Sequence, residues 1–170
     1  MRFNHLEQFD ITGKTVFLRL DLNVPMKDGV ITDDTRIREA LPTLQYILER
    51  TNKVIVASHL GRPKGDKKNK GKFSLEAVGA KLAELLKLEV VFISDYEKPI
   101  HQMLLRLEKN QFILLENLRF HPEETQNNPE FSEVLATSVD FYINDAFGVI
   151  HRSHASVVGV PERTRSSLSR

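Results

Sequence analysis

The sequence predicts an α/β fold built on a parallel sheet. Three observations predict it. Short apolar runs rich in Val, Ile and Phe recur along the chain at the length of buried strands. Segments with helical spacing of apolar residues lie between them. Polar segments carrying arginine, histidine and asparagine follow several of the runs, as expected where strand ends line a ligand-binding rim.

The strand candidates are KTVFLRL (14–20), KVIVAS (53–58), EVVFIS (89–94), QFILLE (111–116) and VDFYIN (139–144). The helix candidates are PTLQYILER (42–50), SLEAVGAKLAELLK (74–87), HQMLLRLEK (101–109) and PEFSEVLATS (129–138). Pro42 is tolerated if it stands in a first turn. Leu75, Val78, Leu82 and Leu86 share one face of the second helix, with Ser74 as its N-cap. Asn128 caps the last, with Pro129 at its first position and Glu130 where the helix dipole favours an acid. Alternation of this kind gives a three-layer α/β/α, Rossmann-like domain with a parallel sheet of about five to six strands. The third strand exits into DYEKP, without an arginine, and is expected at an edge away from the site.

The 170 residues are 41% hydrophobic and 28% charged, enough for one domain with its own core. The net charge of +1 carries no global basic excess, so anion binding must come from local clustering. There is no cysteine, which excludes disulfides, zinc–thiolate sites and iron–sulfur clusters. No apolar leader or membrane-length run occurs, and a cytoplasmic location is expected.

At the carboxyl rim of the expected sheet stand DLNVP with Asp21 and Asn23, then TDDTRIR with Arg36 and Arg38. SHLGRP adds His59 and Arg62, ENLRFHPEE adds Asn117 and Arg119, and NDAFGVIHRSHAS adds His151, Arg152 and His154. Arginines gathered at one end of a sheet repel unless an anion sits among them. Their planar forks suit phosphate and carboxylate. The pattern points to a small ligand with more than one negative group, with Asp21 and Asn23 orienting a hydroxyl or a neighbouring arginine.

RLDLNVP, ITDDTRI, SHLGRP, LLENLRF and INDAFGVIHRSHAS, in that order, resemble the signature segments of phosphoglycerate kinases from about Thr15 to Val160. The resemblance implies a domain over 1–160 that binds 3-phosphoglycerate or 1,3-bisphosphoglycerate. It implies Asp21 and Asn23 on the glycerate hydroxyl and Arg36 beside the reacting carboxyl group as the catalytic residue. His59, Arg62, Arg119 and Arg152 would form the rest of the basic patch, mostly on the 3-phosphate. Mg-ATP or Mg-ADP would belong to a C-terminal nucleotide-binding domain that this sequence lacks. The chain itself would bind no cofactor or metal and would be inactive alone. A monomer is expected, with no nucleic-acid or membrane partner. PERTRSSLSR (161–170) departs from the family pattern and reads as a polar, disordered tail.

Other readings stand beside these. Each arginine can serve structure alone, and Arg119 has Glu116, Glu123 and Glu124 nearby in sequence. The chain can be a non-enzymatic anion-binding module. The lysine-rich loop GRPKGDKKNKGK (61–72) can contact a polyanion, although a solvated loop is the commoner outcome and its spacing does not match a P-loop. His151 and His154 are expected in structural hydrogen bonds, and His5, His101 and His121 at the surface.

Overall fold

The computed structural model describes residues 6–63, 70–96 and 100–169. Its centre is β1 (Val16–Leu20), VFLRL, buried at every position. Two short antiparallel strands follow, β2 (Met26–Lys27) and β3 (Val30–Ile31). Asp28 and Gly29 turn them with φ of 51° and 79°, the left-handed pair that a two-residue hairpin needs.

Helix α1 (Thr35–Leu48) buries Ile37, Ala40, Leu44 and Ile47 on one stripe. It begins well before Pro42, which lies in its interior and not in the expected first turn. The continuous apolar stripe outweighs the one backbone bond that proline removes. Next come β4 (Val54–Ala57), α2 (Lys70–Phe73), α3 (Glu76–Leu86) and β5 (Glu89–Ile93). The N-cap of α3 is Leu75, without a side-chain cap; Ser74, expected in that place, stands one residue earlier, where its Oγ accepts the N–H of Glu76 at 3.1 Å. Helix α4 (Ile100–Leu104) is shorter than 101–109, since only Ile100 and Leu104 are buried.

The chain continues through β6 (Gln111–Leu115), α5 (Pro122–Thr125), α6 (Pro129–Ala136) and β7 (Phe141–Asp145). Asn128 caps α6 by accepting the N–H of Phe131 at 2.8 Å. A π-helical turn (Ala155–Gly159) leads into α7 (Val160–Arg163) and β8 (Ser166–Ser169).

The large sheet runs β5-β6-β4-β1-β7-β8, with every pair parallel. β5 occupies one edge, as its exit suggested. The segment expected to be a disordered tail is instead ordered through Ser169, and its last residues form the other edge. Ile143 pairs with Leu168, which is 4% exposed. One apolar residue anchors the strand, and its serines suit a sheet border where one face stays wet.

Two apolar clusters lie on opposite faces of the sheet. One joins Leu18, Val56 and Leu114 to α1 and α3 through Leu44 and Leu82. The other joins Phe17, Ile55 and Ile113 to α4 and α6 through Leu104 and Leu135. Successive residues of each strand thus feed the two faces, as the pleat requires. From β1 the chain passes to the β4 side; from β7 it passes to the β8 side. The carboxyl ends of β1 and β7 therefore frame a switch point, where open α/β sheets leave a crevice.

Candidate functional site: a cationic cluster at the sheet rim

Three exits are tied together before any ligand is considered. Ser58, just past β4, accepts the N–H of Leu22 at 2.9 Å and donates to the carbonyl of Leu20 at 2.8 Å. Asn23 Oδ1 accepts the N–H of Gly61 at 2.8 Å. Asn117, fully buried past β6, donates to the carbonyls of Leu60 and Phe73 at 2.7 and 2.9 Å. The loops after β1, β4 and β6 thus form one cross-bonded rim.

Arg119 donates through Nη1 to the Gly61 carbonyl at 2.7 Å. Among the described residues it has no carboxylate within salt-bridge distance, so pairing with Glu116, Glu123 or Glu124 is not its role. Burial first, then the charges of Arg152 and Arg19, pull its pKa down to about 10, with Arg62 adding to the effect. Arg62 and Arg152 are exposed and likewise have no carboxylate partner among the described residues. His59 is 5% exposed, and its pKa falls to about 2 through burial and then through Arg19, Arg119, His154 and Arg152. An imidazole this disfavoured as a cation is neutral throughout the physiological range.

Arg36 is not among the electrostatic neighbours of Arg119. It sits in the first turn of α1 and pairs with Asp21, which follows β1. A cleft of about 370 Å³ lies beside this pair, lined also by Glu39, Asp145, Phe147 and Gly148. A Cβ on Gly148 would meet Asp21 Oδ2 at 3.1 Å, so this wall is held close. The expected set therefore falls into two adjoining groups. Asp21 orients Arg36; Asn23 supports the loop that Arg119 also grips.

Sequence reasoning passed over a buried group behind the rim. Arg19, inside β1, is 0% exposed and donates to Ser156 Oγ at 3.1 Å, to the carbonyl of Leu20 and to His59 Nδ1 at 3.0 Å. Glu124, also 0% exposed, accepts from Ser156 N at 2.9 Å and Ser156 Oγ at 2.6 Å. The available signal was a charged residue within an otherwise apolar strand, which needs a buried partner elsewhere.

The histidines divide differently from expectation. His151 is exposed. His154 is 9% exposed, with Nδ1 3.7 Å from Glu124 Oε1 and no hydrogen bond there. Burial, then Arg119, Arg152 and Arg19, lower its pKa to about 4. His121 is not a free surface group: it stacks on Tyr96 at 4.5 Å and on Phe131 at 5.2 Å. His101 Nδ1 meets Ser138 Oγ at 2.8 Å. His5 and the lysine-rich stretch 64–69 lie outside the described residues.

Fold and site together define a three-layer α/β domain that gathers an unneutralised cationic cluster at the carboxyl rim of its sheet. The chain belongs to the phosphoglycerate kinase family, whose model matches residues 6–168. It is 50% identical over 166 residues to the cytosolic phosphoglycerate kinase of Triticum aestivum, covering 96% of this chain and 41% of that protein. It is 49% identical over 158 residues to the phosphoglycerate kinase of Thermosipho africanus, covering 92% of this chain and 39% of the relative. The structure of phosphoglycerate kinase from Coxiella burnetii superposes with a TM-score of 0.86 at 38% identity, over 99% of this chain and 41% of that one. The chain thus spans about two fifths of the length of the relatives it matches.

Proposed function

We propose that this chain is the 3-phosphoglycerate-binding part of a phosphoglycerate kinase. In that reaction the substrate carboxylate attacks the γ-phosphorus of ATP, the bond to ADP breaks, and 1,3-bisphosphoglycerate forms. No protein nucleophile is required, so catalysis rests on positioning and on charge stabilisation. Arg62, Arg119 and Arg152 take the 3-phosphate, with His59 donating a hydrogen bond. Arg36, aimed by Asp21, stands at the carboxyl end of the substrate and stabilises charge on the transferring group. Asn23 keeps the His59–Arg62 loop in register with the rim. The Mg-nucleotide is held by a second, nucleotide-binding domain, and closure of the two excludes water. This chain alone turns over no substrate. We place the protein in the cytosol as a monomer.

The observation that carries this proposal is the cluster of Arg62, Arg119 and Arg152 without a carboxylate partner among the described residues. Like charges gathered without a counter-charge call for an anion. Calorimetric titration tests it. 3-Phosphoglycerate should bind more tightly than inorganic phosphate at both low and moderate salt. Equal affinity for the two, or binding that vanishes with modest salt for both, overturns the reading.

A further inference from the structure

Behind the cationic rim, the hydrogen bonds among four buried groups can run in only one direction. A guanidinium has donors and no acceptor. Arg19 Nη2 lies 3.0 Å from His59 Nδ1, so Nδ1 must accept and the ring proton of a neutral His59 must sit on Nε2. Arg19 Nε donates to Ser156 Oγ at 3.1 Å, so the Ser156 hydroxyl turns its own proton elsewhere. It turns to Glu124 Oε1, 2.6 Å away, while Glu124 Oε2 accepts the N–H of Ser156 at 2.9 Å. Glu124 is also the leading opposite charge felt by Arg19. Glu124, Ser156 and Arg19 are each 0% exposed. A buried, fully directed chain of this kind is rigid.

We propose that Glu124, acting through Ser156 and Arg19, is the positioning residue that holds His59 as a neutral imidazole protonated on Nε2. In this form His59 donates a hydrogen bond to an anion while adding no charge to a rim already rich in arginine. Nε2 has no hydrogen-bond partner among the described residues, which leaves it for a ligand. The groups facing His59 are Arg19 from β1, Arg119 from the β6 exit, and Arg152 and His154 from the β7 exit. All are basic, and each opposes protonation of the ring. The role in substrate binding rests on the function proposed above; the tautomer does not.

Two-bond ¹H–¹⁵N spectra of the histidine-labelled chain, with the His59 signals assigned from His59→Gln, read the tautomer without any ligand. The expected result is a proton on Nε2, none on Nδ1, and no titration between pH 8 and 5. Without the carboxylate that holds Ser156 and balances its charge, Arg19 is no longer fixed against Nδ1, so Glu124→Gln should give His59 signals averaged between tautomers and weaken 3-phosphoglycerate binding about tenfold. Ser156→Ala breaks the same chain while leaving the Glu124 charge in place, and serves if Glu124→Gln does not fold. It should move the His59 signals in the same direction. A proton on Nδ1, a titration near pH 6.5 in the unaltered chain, or His59 signals unmoved in a folded variant each overturn the proposal. If the unaltered chain shows the expected tautomer yet binds no 3-phosphoglycerate, the positioning stands and the substrate assignment falls.

Discussion

The N–H of Gly61 is held by Asn23 Oδ1 at 2.8 Å, across the gap between the β1 and β4 exits. The carbonyl of the same glycine accepts from Arg119 Nη1 at 2.7 Å. One peptide segment thus joins the first part of the rim to the arginine cluster. Gly61 has a φ of 58°, and a Cβ there would strike the Phe73 ring.

Gly61→Ala should therefore destabilise the fold by about 1–3 kcal/mol, through left-handed strain and the collision together. Asn23→Ala should cost about 1 kcal/mol for one lost hydrogen bond in a partly buried site. Both should lower anion affinity, because Arg119 loses its fixed anchor. Urea midpoints and calorimetric titration of the two variants check this. Wild-type affinity in Asn23→Ala would show that the loop holds itself.

Much of the fold was legible because its central strands are buried on both faces. KTVFLRL and QFILLE declare themselves by apolar β-branched and aromatic content. β8 was missed for the opposite reason: Ser166 to Ser169 contains one apolar residue, and an edge strand needs no more. The start of α1 was missed because TDDTRIREA reads as polar until its partner face is known. The rim arginines were legible because each follows a strand. Arg19, Ser156 and Glu124 were not, since their pairing depends on contacts between distant segments that no local pattern records. The Asp28–Gly29 hairpin signal, by contrast, was present and passed over.

Glu116 offers a sharper stability test. Its Oε1 accepts the N–H groups of Leu75 and Asn117, both at 2.8 Å, and its Oε2 accepts from Ser74 Oγ at 2.8 Å. Glu116→Gln can keep the two N–H contacts through its carbonyl and donate to Ser74, whose hydroxyl can rotate. It should cost no more than about 1 kcal/mol. Glu116→Ala orphans two buried N–H groups, that of Leu75 just before α3 and that of Asn117 past β6, and should cost about 2–4 kcal/mol. Equal losses from the two would mean that the charge, and not the hydrogen bonds, holds this corner.

The buried histidines set a pH dependence with a definite sign. In the unfolded chain a histidine takes up its proton near pH 6.5. In the folded chain His154 resists until about pH 4 and His59 until about pH 2. Between those values the unfolded state binds more protons, so stability falls as pH falls. The loss from His154 should run from about pH 6.5 to 4 and that from His59 should continue below it. His154→Gln should flatten the slope of urea midpoint against pH between 6.5 and 4.5. An unchanged slope would assign the acid sensitivity to carboxylates.

The cluster itself is tested by keeping charge and removing shape. Arg119 already spends Nη1 on the Gly61 carbonyl, and its remaining donors are the ones available to a phosphate. A lysine is a compact point charge and cannot hold the loop and grip an anion with a planar fork at once. Arg119→Lys should weaken 3-phosphoglycerate binding by about 1–3 kcal/mol, the scale of a lost charge-assisted hydrogen bond. Arg62→Lys and Arg152→Lys should fall in the same range, since each guanidinium would meet the phosphate through paired N–H groups. Lys53 supplies the comparison: it is exposed and precedes β4, at the opposite end of the strand from His59 and Arg62. Lys53→Ala should change affinity by less than about 0.5 kcal/mol, acting only through screened charge. Circular dichroism on each variant separates misfolding from lost contact. If the three arginine variants bind like the parent while Lys53→Ala does not, the ligand sits on another face of the protein. If all four bind alike, net charge and not the geometry of the rim governs binding.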